Sequence, residues 1–386
     1  MRGHIIGLIA VLLVGVNVAL ADSPAAPATQ SAAAAGGPPG LITLHFKDAN
    51  PGVVLAELAK QGQVNIAQWP PDLWNQQVNL GNILSSRPKL SIDIDQQPFW
   101  AAMVEFCNKA KVQVRSMGNE QDLTVMQGEG NFSAPHCFSG SFAIFANNAQ
   151  RTRSLQYADR GNGAGQVQKN DVLTLDLYID PRSRVASYDG IQISEAVDDK
   201  GASLVVDAKE DGGRSSSGMM QRGYSFPISV PLKYPNDGYT KLSRLKGTIL
   251  LIMVAKTKTL EIPDFEKSSG QSASGAGMNV SVKSVKLGGQ ELSYELDVSR
   301  DKSQPSQGGG LFEQYQSIHI VDAHGHTICS GGGGWGSDEE MTVSGSYGVG
   351  GVGKIAAPLK LVWEIPTETR EENIKFELDD LPLPQP

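Results

Sequence analysis

The densest group of candidate metal ligands in this 386-residue sequence lies toward its C-terminal end. Three of the six histidines, His319, His324 and His326, fall within eight residues, with Asp322 among them and Cys329 close behind. Imidazole and thiolate groups are ligands that zinc and copper favour. His324, however, occupies a predicted tight turn and should face solvent, and the two other histidines need a third ligand from elsewhere. We therefore expect solvated strand histidines here, and we predict no metal and no cofactor.

A second motif resembles a phosphate-binding loop without completing it. Gly348 and Gly353-Lys354 have the spacing of that loop, yet Ile355 stands where the motif has the serine or threonine that binds magnesium. A strand-like segment at 359–365 follows in place of the helix that the motif requires. The sequence therefore predicts a glycine-rich loop and no bound nucleotide.

Residue types suited to hydrolysis are present without the arrangement that hydrolysis needs. Ser139-Gly140 and Ser330-Gly331 lack the G-x-S-x-G elbow between a strand and a helix. Four carboxylates have the chemistry to bind calcium or to flank a glycosidic bond, but their spacing fits no calcium loop: Asp176, Asp180, Asp198 and Asp199. We interpret them as solvated caps of turns, and we predict that the protein is not an enzyme.

Tryptophans in predicted loops are the best candidates for contacting a partner or a glycan. Trp69 and Trp74 lie beside Pro70-Pro71 in a long loop, and Trp335 lies in the glycine loop 331–336. An exposed indole offers a large contact area at a low entropic cost. The alternative is that each ring folds back and fills the core of its own domain.

The first 21 residues are typical of a secretory signal peptide. Ile5–Val18 is a short apolar run behind a weakly basic start, and Ala19 and Ala21 form the small-residue cleavage site before Asp22. The run is too short to span a bilayer, and no cysteine follows it for a lipid anchor. We expect an exported protein of the periplasm or cell surface, with no transmembrane segment in the mature chain. An uncleaved membrane anchor is the alternative.

Composition and charge limit the classes of partner and of fold that the sequence is compatible with. The sequence has 33 basic and 41 acidic residues, a net charge of -8 and no basic patch, so we expect no nucleic-acid partner. With 43 glycines, 21 prolines and 6% aromatic residues, it is typical of turn-rich β structure. Of the three cysteines, Cys107, Cys137 and Cys329, at least one must stay unpaired within the chain. Cys107 is predicted to be a buried helical thiol, and a Cys107–Cys137 bridge is the alternative.

Ordered structure is predicted to begin at Leu41, after an Ala/Pro/Gly tract at 22–40 that we interpret as a disordered linker. Beyond it, apolar residues alternate as in strands and then recur at helical spacing, twice over. Asn50-Pro51 and Pro98 mark the helix starts, and Gly62 is predicted to end the first helix. The order β-α-β followed by β-α-β-β predicts a small α/β module.

Two segments carry this pattern, Ile42–Pro51 (ITLHFKDANP) and Leu90–Phe99 (LSIDIDQQPF). With them, residues 41–128 resemble the secretin/TonB short N-terminal domain, and they depart from it in the longer loop 69–87. The resemblance implies a small periplasmic α/β unit that contacts neighbouring proteins and has no catalytic residues. It therefore implies an interaction module of the cell envelope.

Beyond the module, alternating runs separated by Gly, Ser, Asp and Asn predict antiparallel β-sandwiches. We place the first at 133–267, a Ser/Gly linker at 268–277 and the second at 278–386. Both contain one predicted turn, Val197–Gly201 or Val321–Gly325, in which an aspartate caps and a glycine takes a positive φ. The repetition favours duplicated sandwiches, and chance turn chemistry is the alternative.

The expected fold class is thus α+β, with a small β-α-β/β-α-β-β module followed by two antiparallel β-sandwich domains. The prolines after Leu381 predict that the C-terminal tail is not a central strand. Three segments of the β region are similar to those of an exported bacterial family to which no activity is assigned: Leu242–Gly247, Leu361–Pro366 and Phe376–Pro382. That resemblance adds no catalytic residue.

Together these patterns predict a non-catalytic binding or scaffold protein of the bacterial envelope. We expect the α/β module to contact a protein partner through an exposed strand edge and the loop that holds Trp69 and Trp74. Two alternatives stay open. One is a polysaccharide-binding protein that uses the sandwich loops and Trp335, and the other is a hydrolase whose site the sequence does not reveal.

Export predicts a mature chain that begins at Asp22, because signal peptidase cleaves after the small residues Ala19 and Ala21. The intact mass of protein purified from the envelope should lack the first 21 residues, and Ala19→Arg should prevent that cleavage. A wild-type protein that keeps its leader would contradict the signal-peptide interpretation.

Overall fold

The computed structural model describes residues 40–71, 73–74, 89–116, 123–128, 131–156, 166–206, 224–233, 240–288, 291–301, 311–325, 327–328, 333–348 and 355–384. Most of these residues lie in β-strands, and two helices of 12 residues each lie near the N-terminal end. The expectation of a β-rich chain is confirmed. Within these ranges, every helix falls short of the length and apolar composition that a membrane crossing requires. The predicted leader and nearly all of the predicted linker lie outside the described residues.

The N-terminal module has the predicted order of strands and helices. Its elements are β1 (Ile42–Ala49), α1 (Pro51–Gly62), β2 (Ile66–Trp69), β3 (Leu90–Gln97), α2 (Phe99–Ala110), β4 (Val112–Ser116) and β5 (Leu123–Gln127). β1 pairs antiparallel with β3, while β2, β5 and β4 form a second sheet in which β2 runs parallel to β5. Both sheets and both helices contribute buried side chains to one hydrophobic cluster, the first core.

Helix α1 begins where the sequence predicts and packs closely on α2. Asn50 Oδ1 accepts a hydrogen bond from Gly52 N at 2.7 Å, and a proline opens the first turn. The helix ends at Gly62 as predicted, but Gln63, with φ of 50°, and not a glycine takes the left-handed position after the last turn. A Cβ on Gly62 would lie 2.4 Å from the Phe99 ring. Gly62 is therefore required by the contact between the helices.

The remaining chain is nearly all strand. Its first half contains β6 (His136–Ser139), β7 (Phe142–Gln156), β8 (Gln166–Ile179), β9 (Val185–Asp198), β10 (Ser225–Leu232) and β11 (Lys241–Ile262). Its second half contains β12 (Ser272–Gly275), β13 (Met278–Gly288), β14 (Glu291–Arg300), a single turn α3 (Leu311–Gln314), β15 (Ile318–Val321), β16 (Thr327–Ile328), β17 (Gly333–Gly336), β18 (Glu340–Gly348) and β19 (Lys360–Pro382).

Three antiparallel sheets enclose two further hydrophobic clusters. The front sheet has the strand order β10-β8-β7-β6, the spine sheet β16-β15-β19-β11-β9 and the outer sheet β12-β13-β14-β18-β17. Side chains of the front and spine sheets form the second core. Side chains of the outer and spine sheets form the third core. The spine sheet therefore contributes to both cores.

Two long strands connect these cores, because β11 and β19 pair with each other over nearly their whole lengths. The first half of β11 and the second half of β19 pack into the second core, and their other halves pack into the third. Register shifts at 254–257 reverse the alternation of buried residues along β11, from odd positions such as Leu251 to even positions such as Leu260. Each half of the β region thus ends in a strand that continues into the other half.

The two halves repeat one order of strands. β6, β7 and β8 follow one another in the front sheet as β12, β13 and β14 do in the outer sheet, and β9 and β15 then move to the spine sheet. A turn follows in both halves: Asp198 and Asp322 accept main-chain hydrogen bonds from residues two positions on, and Gly201 and Gly325 have φ of 85° and 82°. β10 and β18 return to the first sheet of their half, and β11 and β19 end it. The predicted turn therefore occupies equivalent places in a repeated topology.

The predicted boundary between the halves is wrong. Residues 268–277 are not a linker, because Ser268 is fully buried and Ser272–Gly275 form β12, which pairs with β13 at the edge of the outer sheet. The segment 359–365, predicted as a strand of its own, and the residues 373–378 both belong to the long strand β19, except Leu359, which lies just before it. That strand ends at Pro382 in the interior of the spine sheet, and Leu383 and Pro384 lie beyond it, so the described end of the tail is not a strand, as predicted. Neither 133–267 nor 278–386 contains all strands of one core.

Removing a buried side chain from either core should destabilise both, because β11 and β19 join them. We expect Leu251→Ala in the second core and Leu361→Ala in the third each to lower the free energy of unfolding by about 2–5 kcal/mol, with one cooperative transition kept. Thr259→Ala, at an exposed position of β11, is the control, with a change below about 0.5 kcal/mol. Chemical denaturation followed by tryptophan fluorescence and circular dichroism measures this. Separate transitions of the two cores would contradict it.

Candidate functional site

The histidines singled out by the sequence are not brought together in the described part of the structure. His319 lies on β15, half-buried, with Nδ1 3.2 Å from Ser317 O. His324 lies in the turn after β15, where its main-chain N–H donates to Asp322 Oδ1 at 2.9 Å. His326 and Cys329 lie outside the described residues, as does the end of the glycine motif at Lys354. Within the described ranges, no three His, Cys, Asp or Glu side chains form a group suited to a metal ion.

The candidate carboxylates serve turns and ion pairs. The prediction of solvated caps is wrong for Asp180 and Asp198, which are 1% and 4% exposed. Asp198 Oδ1 accepts from the main chain of its own turn. Asp199 accepts from the Thr240 hydroxyl, which lowers the pKa of that carboxyl. Desolvation raises the pKa of Asp176, against a smaller opposing effect of a hydrogen bond from Asn147.

The two described cysteines are separate thiols. Cys107 lies on the buried face of α2, and burial raises the pKa of its thiol far above the usual range. Cys137 lies on β6, and desolvation raises its pKa as well. The alternative of a bridge between them is therefore wrong. Cys329 lies outside the described residues.

The three candidate tryptophans occupy different environments. Trp69 ends β2 with 62% of its surface exposed. Trp74 is 6% exposed, and its ring meets Phe106 of the first core edge-on at a centroid distance of 6.0 Å. The interpretation of Trp74 as a contact residue is wrong, since this ring fills the core of its own module. Trp335 is 57% exposed, but it lies on the edge strand β17 and not in a loop.

The N-terminal module carries most of the exposed apolar surface. Of the five large apolar side chains substantially exposed among the described residues, three belong to it: Leu41, Val53 and Trp69. Gly52, next to Val53 in the first turn of α1, lies against β2, since a Cβ there would lie 3.6 Å from Gln68 Nε2. Val53 lies one residue from this contact, and Trp69 is the last residue of β2. We call these two side chains, with the unpaired side of β2, the β2 edge.

The sheet formed by β1 and β3 has main-chain groups that helix side chains occupy. Gln61 of α1 accepts from Thr43 N and donates to Thr43 O of β1, both at 2.9 Å. Lys109 of α2 donates to Ser91 O of β3 at 3.4 Å. These contacts hinder the pairing of a further strand with either edge.

β2 lacks such protection. Leu123 N of β5 donates to Asn65 O at 3.0 Å, which fixes the side of the chain that faces β5. Because main-chain groups alternate sides along a strand, those of Ile66 and Gln68 point away from β5. No other described residue bonds to them there. Among the residues that the structure describes, the β2 edge therefore combines main-chain groups that no strand pairs with and two exposed apolar side chains.

Aromatic packing fixes the module to the front sheet. The Trp100 ring of α2 lies 4.8 Å from the Tyr178 ring of β8, centroid to centroid. Phe132 bridges the same junction, at 5.1 Å from Phe145 of β7. Ala143, Phe145 and Tyr178 accordingly belong to the first core although they lie on front-sheet strands. The module is therefore continuous with the β region.

A buried ion pair reinforces the junction. Arg182 Nη2 and Nε donate to the Asp180 carboxylate at 2.7 and 2.8 Å, in a bidentate arrangement. Arg182 Nη1 donates to Gln61 O at the end of α1, at 3.2 Å. The Asp180 and Arg182 side chains are 1% and 10% exposed. One guanidinium thus ties the turn after β8 to helix α1, and through Gln61 to β1.

Three residues that shape the β2 edge and the junction with the front sheet were not predicted from the sequence. Val53 stands outside the apolar stripe of α1, which was a usable signal for an exposed apolar side chain. Gln61 and Arg182 gave no signal, because their partners Thr43 and Asp180 are identified only by the folded structure.

Comparisons of the chain with protein-family models, with curated proteins and with solved structures give no match. The β2 edge is therefore defined by its own geometry. It is an open strand edge with a tryptophan at its end, held on a module that cannot rotate freely against the β region.

The buried pair should respond unequally to single and double substitution. Arg182→Met leaves the Asp180 carboxylate buried without its cation, and we expect a loss of about 3–5 kcal/mol in the free energy of unfolding. Adding Asp180→Asn should restore part of that loss, because the uncompensated charge is removed. Lys256→Met breaks an exposed pair with Glu368 and should cost at most about 1 kcal/mol. Denaturation of the variants measures these values, and a double variant no more stable than Arg182→Met would contradict the assignment.

Proposed function

We propose that this protein is an exported, non-catalytic binding protein of the bacterial envelope that takes up a protein partner at its β2 edge. The observation that carries the proposal is the open side of β2 with Trp69, 62% exposed, at its end. A strand edge of this kind recruits an extended segment of another chain, which adds to the sheet through main-chain hydrogen bonds. The exposed indole supplies an apolar anchor at the end of the added strand.

The module's other edges support the choice of β2. Gln61 and Lys109 take up main-chain groups of β1 and β3, so an incoming strand meets side chains there. On β2, no described residue bonds to the outward N–H and C=O groups of Ile66 and Gln68, so an incoming strand can pair with them. Trp69, which is 62% exposed, ends the same strand, so main-chain pairing and apolar contact would occur together.

Export and architecture belong to the same proposal. The leader before Asp22 directs the chain to the periplasm or cell surface, and the order β-α-β, β-α-β-β supports a module of the secretin/TonB short N-terminal kind at 41–128. In this view the two β-sandwiches share β11 and β19 and form a frame that carries the module. The aromatic and ionic junction at Trp100 and Arg182 holds the β2 edge in a constant orientation.

The test is a residue-specific cross-link in a bacterium that carries the native gene. A photoreactive amino acid at the exposed position Ala67 should give one adduct of defined mass in the envelope fraction. Gln68→Pro removes an outward N–H without breaking a bond to β5, and it should abolish the adduct. Gln68→Ala keeps that N–H, and it should retain the adduct.

Trp69→Ala should weaken the cross-link strongly, because it removes the apolar anchor and leaves the main chain unchanged. Phe138→Ala, at another exposed aromatic residue far along the chain, is the matched control and should have no effect. An adduct that survives Gln68→Pro and Trp69→Ala in folded protein would contradict strand addition at the β2 edge.

A further inference from the structure

The outer sheet turns a polar face away from the third core. Alternate residues of its strands lie in the core, and the intervening side chains point outward and are mostly hydroxyl-bearing or charged. One row crosses all five strands in register: Ser272, Ser281, Asp297, Thr342 and Trp335. We call this surface the Trp335 face. It carries one large apolar group in an otherwise hydrophilic row.

The geometry of β17 explains why the indole points outward. Gly334 lies on the inward side, where a Cβ would approach Met341 to 2.8 Å and the Tyr315 ring to 3.1 Å. Trp335, the next residue, therefore takes the opposite side and pairs across β17 and β18 with Thr342. Its 57% exposure leaves a ring surface open to solvent at the edge of the sheet.

Ion pairs and hydrogen bonds hold the polar groups of the row in place. Thr342 Oγ1 donates to Asp297 Oδ1 at 2.9 Å, and Lys283 Nζ lies 2.8 Å from the same oxygen and 3.5 Å from Glu295. Partial desolvation raises the pKa of Asp297, but the hydrogen bonds from Lys283 and Thr342 outweigh it and leave the pKa below its usual range. The Asp297 side chain, 33% exposed, thus presents a charged acceptor beside the Lys283 donor.

In the first half, the outward face of the front sheet is apolar, and the N-terminal module packs on it. There, Ala143 and Phe145 of β7 and Tyr178 of β8 point outward from the front sheet and pack into the first core beneath the module. Counted from the β6–β7 and β12–β13 hairpins, the corresponding positions of the outer sheet carry Asn279, Ser281 and Ser299. A domain packed there would bury polar groups beside the charged side chains of Lys283 and Asp297.

We propose that the Trp335 face binds a neutral polysaccharide built of β-linked pyranoses. The apolar C–H face of one sugar stacks on the Trp335 indole, as apolar ring surfaces do on aromatic faces. The following sugars lie along the row, where adjacent strands are about 4.8 Å apart, close to the repeat of an extended β-linked chain. Asp297 accepts from sugar hydroxyls, and Lys283 and the serines donate to sugar oxygens.

Charge and composition separate this ligand from other polymers. In the ion-pair cluster around Asp297, the carboxylates of Glu295 and Asp297 outnumber the Lys283 ammonium, so an acidic polysaccharide is disfavoured. A protein partner would require apolar neighbours around the anchoring tryptophan, because the centre of a protein interface is depleted of charged residues. Trp335 instead adjoins Thr342 and, one strand further, Asp297.

The test is calorimetric titration of the mature protein with cellohexaose and chitohexaose, which are β-linked and neutral. Maltohexaose, which is α-linked, and hexagalacturonate, which is acidic, are the contrasting probes and should bind more weakly. Trp335→Ala should weaken β-linked binding about tenfold or more, and Trp335→Tyr should retain most of it. Phe138→Ala, at an exposed aromatic residue outside both proposed sites, is the control and should leave the affinity unchanged.

Because Trp335 is exposed, Trp335→Ala should keep the unfolding midpoint of the wild-type protein, which separates loss of binding from loss of fold. Two results would overturn the proposal: no binding of either β-linked hexasaccharide by folded wild-type protein, or binding that Trp335→Ala leaves unchanged. The Gln68→Pro variant should bind the sugars normally, so this proposal and that of the β2 edge fail independently.

Discussion

The antiparallel ladder between β11 and β19 is the constraint on which the rest of the structure depends. Each strand begins in the half of the chain that contains it and ends in the other half, so the second and third cores share the same two main chains. The register shifts near residue 255 let buried side chains change their alternation at the crossing point without interrupting the pairing. A hinge between the halves would have to break this ladder. The β region is therefore suited to hold surfaces in fixed positions.

The N-terminal module is held in a fixed position on the β region by its junction with the front sheet. The contact between Trp100 and Tyr178 buries aromatic surface, while Arg182 fixes the turn after β8 to the last carbonyl groups of α1. The same helix end blocks β1, because the Gln61 side chain bonds both main-chain groups of Thr43. The bonds that attach α1 to the turn after β8 and the bonds that occupy the edge of β1 thus form one chain of hydrogen bonds through Gln61. β2, on the other sheet of the module, lies outside that chain of hydrogen bonds, and no described residue pairs with its outward main-chain groups.

Local signals in the sequence predicted the module well and the β region poorly. The Asn50-Pro51 start and the turns at Asp198 and Asp322 are local, since each depends on hydrogen bonds within a few residues. The exchange of β11 and β19 is a pairing between residues far apart in the sequence, from Ile262 with Leu361 to Lys241 with Pro382, and hydrophobic periodicity does not indicate such a pairing. The shift in alternation within β19 made one strand resemble two. For the candidate site, the sequence indicated Trp69 and Trp335 by type, but only burial separated them from Trp74.

Hydrogen exchange at single-amide resolution on the free mature protein is the most direct test of a rigid frame with a free β2 edge, because it reports on both together. We expect amides of β11 and β19 in both halves to exchange only through one common unfolding event. We also expect the outward amides of Ile66 and Gln68 to exchange rapidly, while those bonded to β5 are protected. Earlier opening of the ladder on one side of residue 255, or strong protection of Ile66 and Gln68, would contradict a single rigid frame with a free β2 edge.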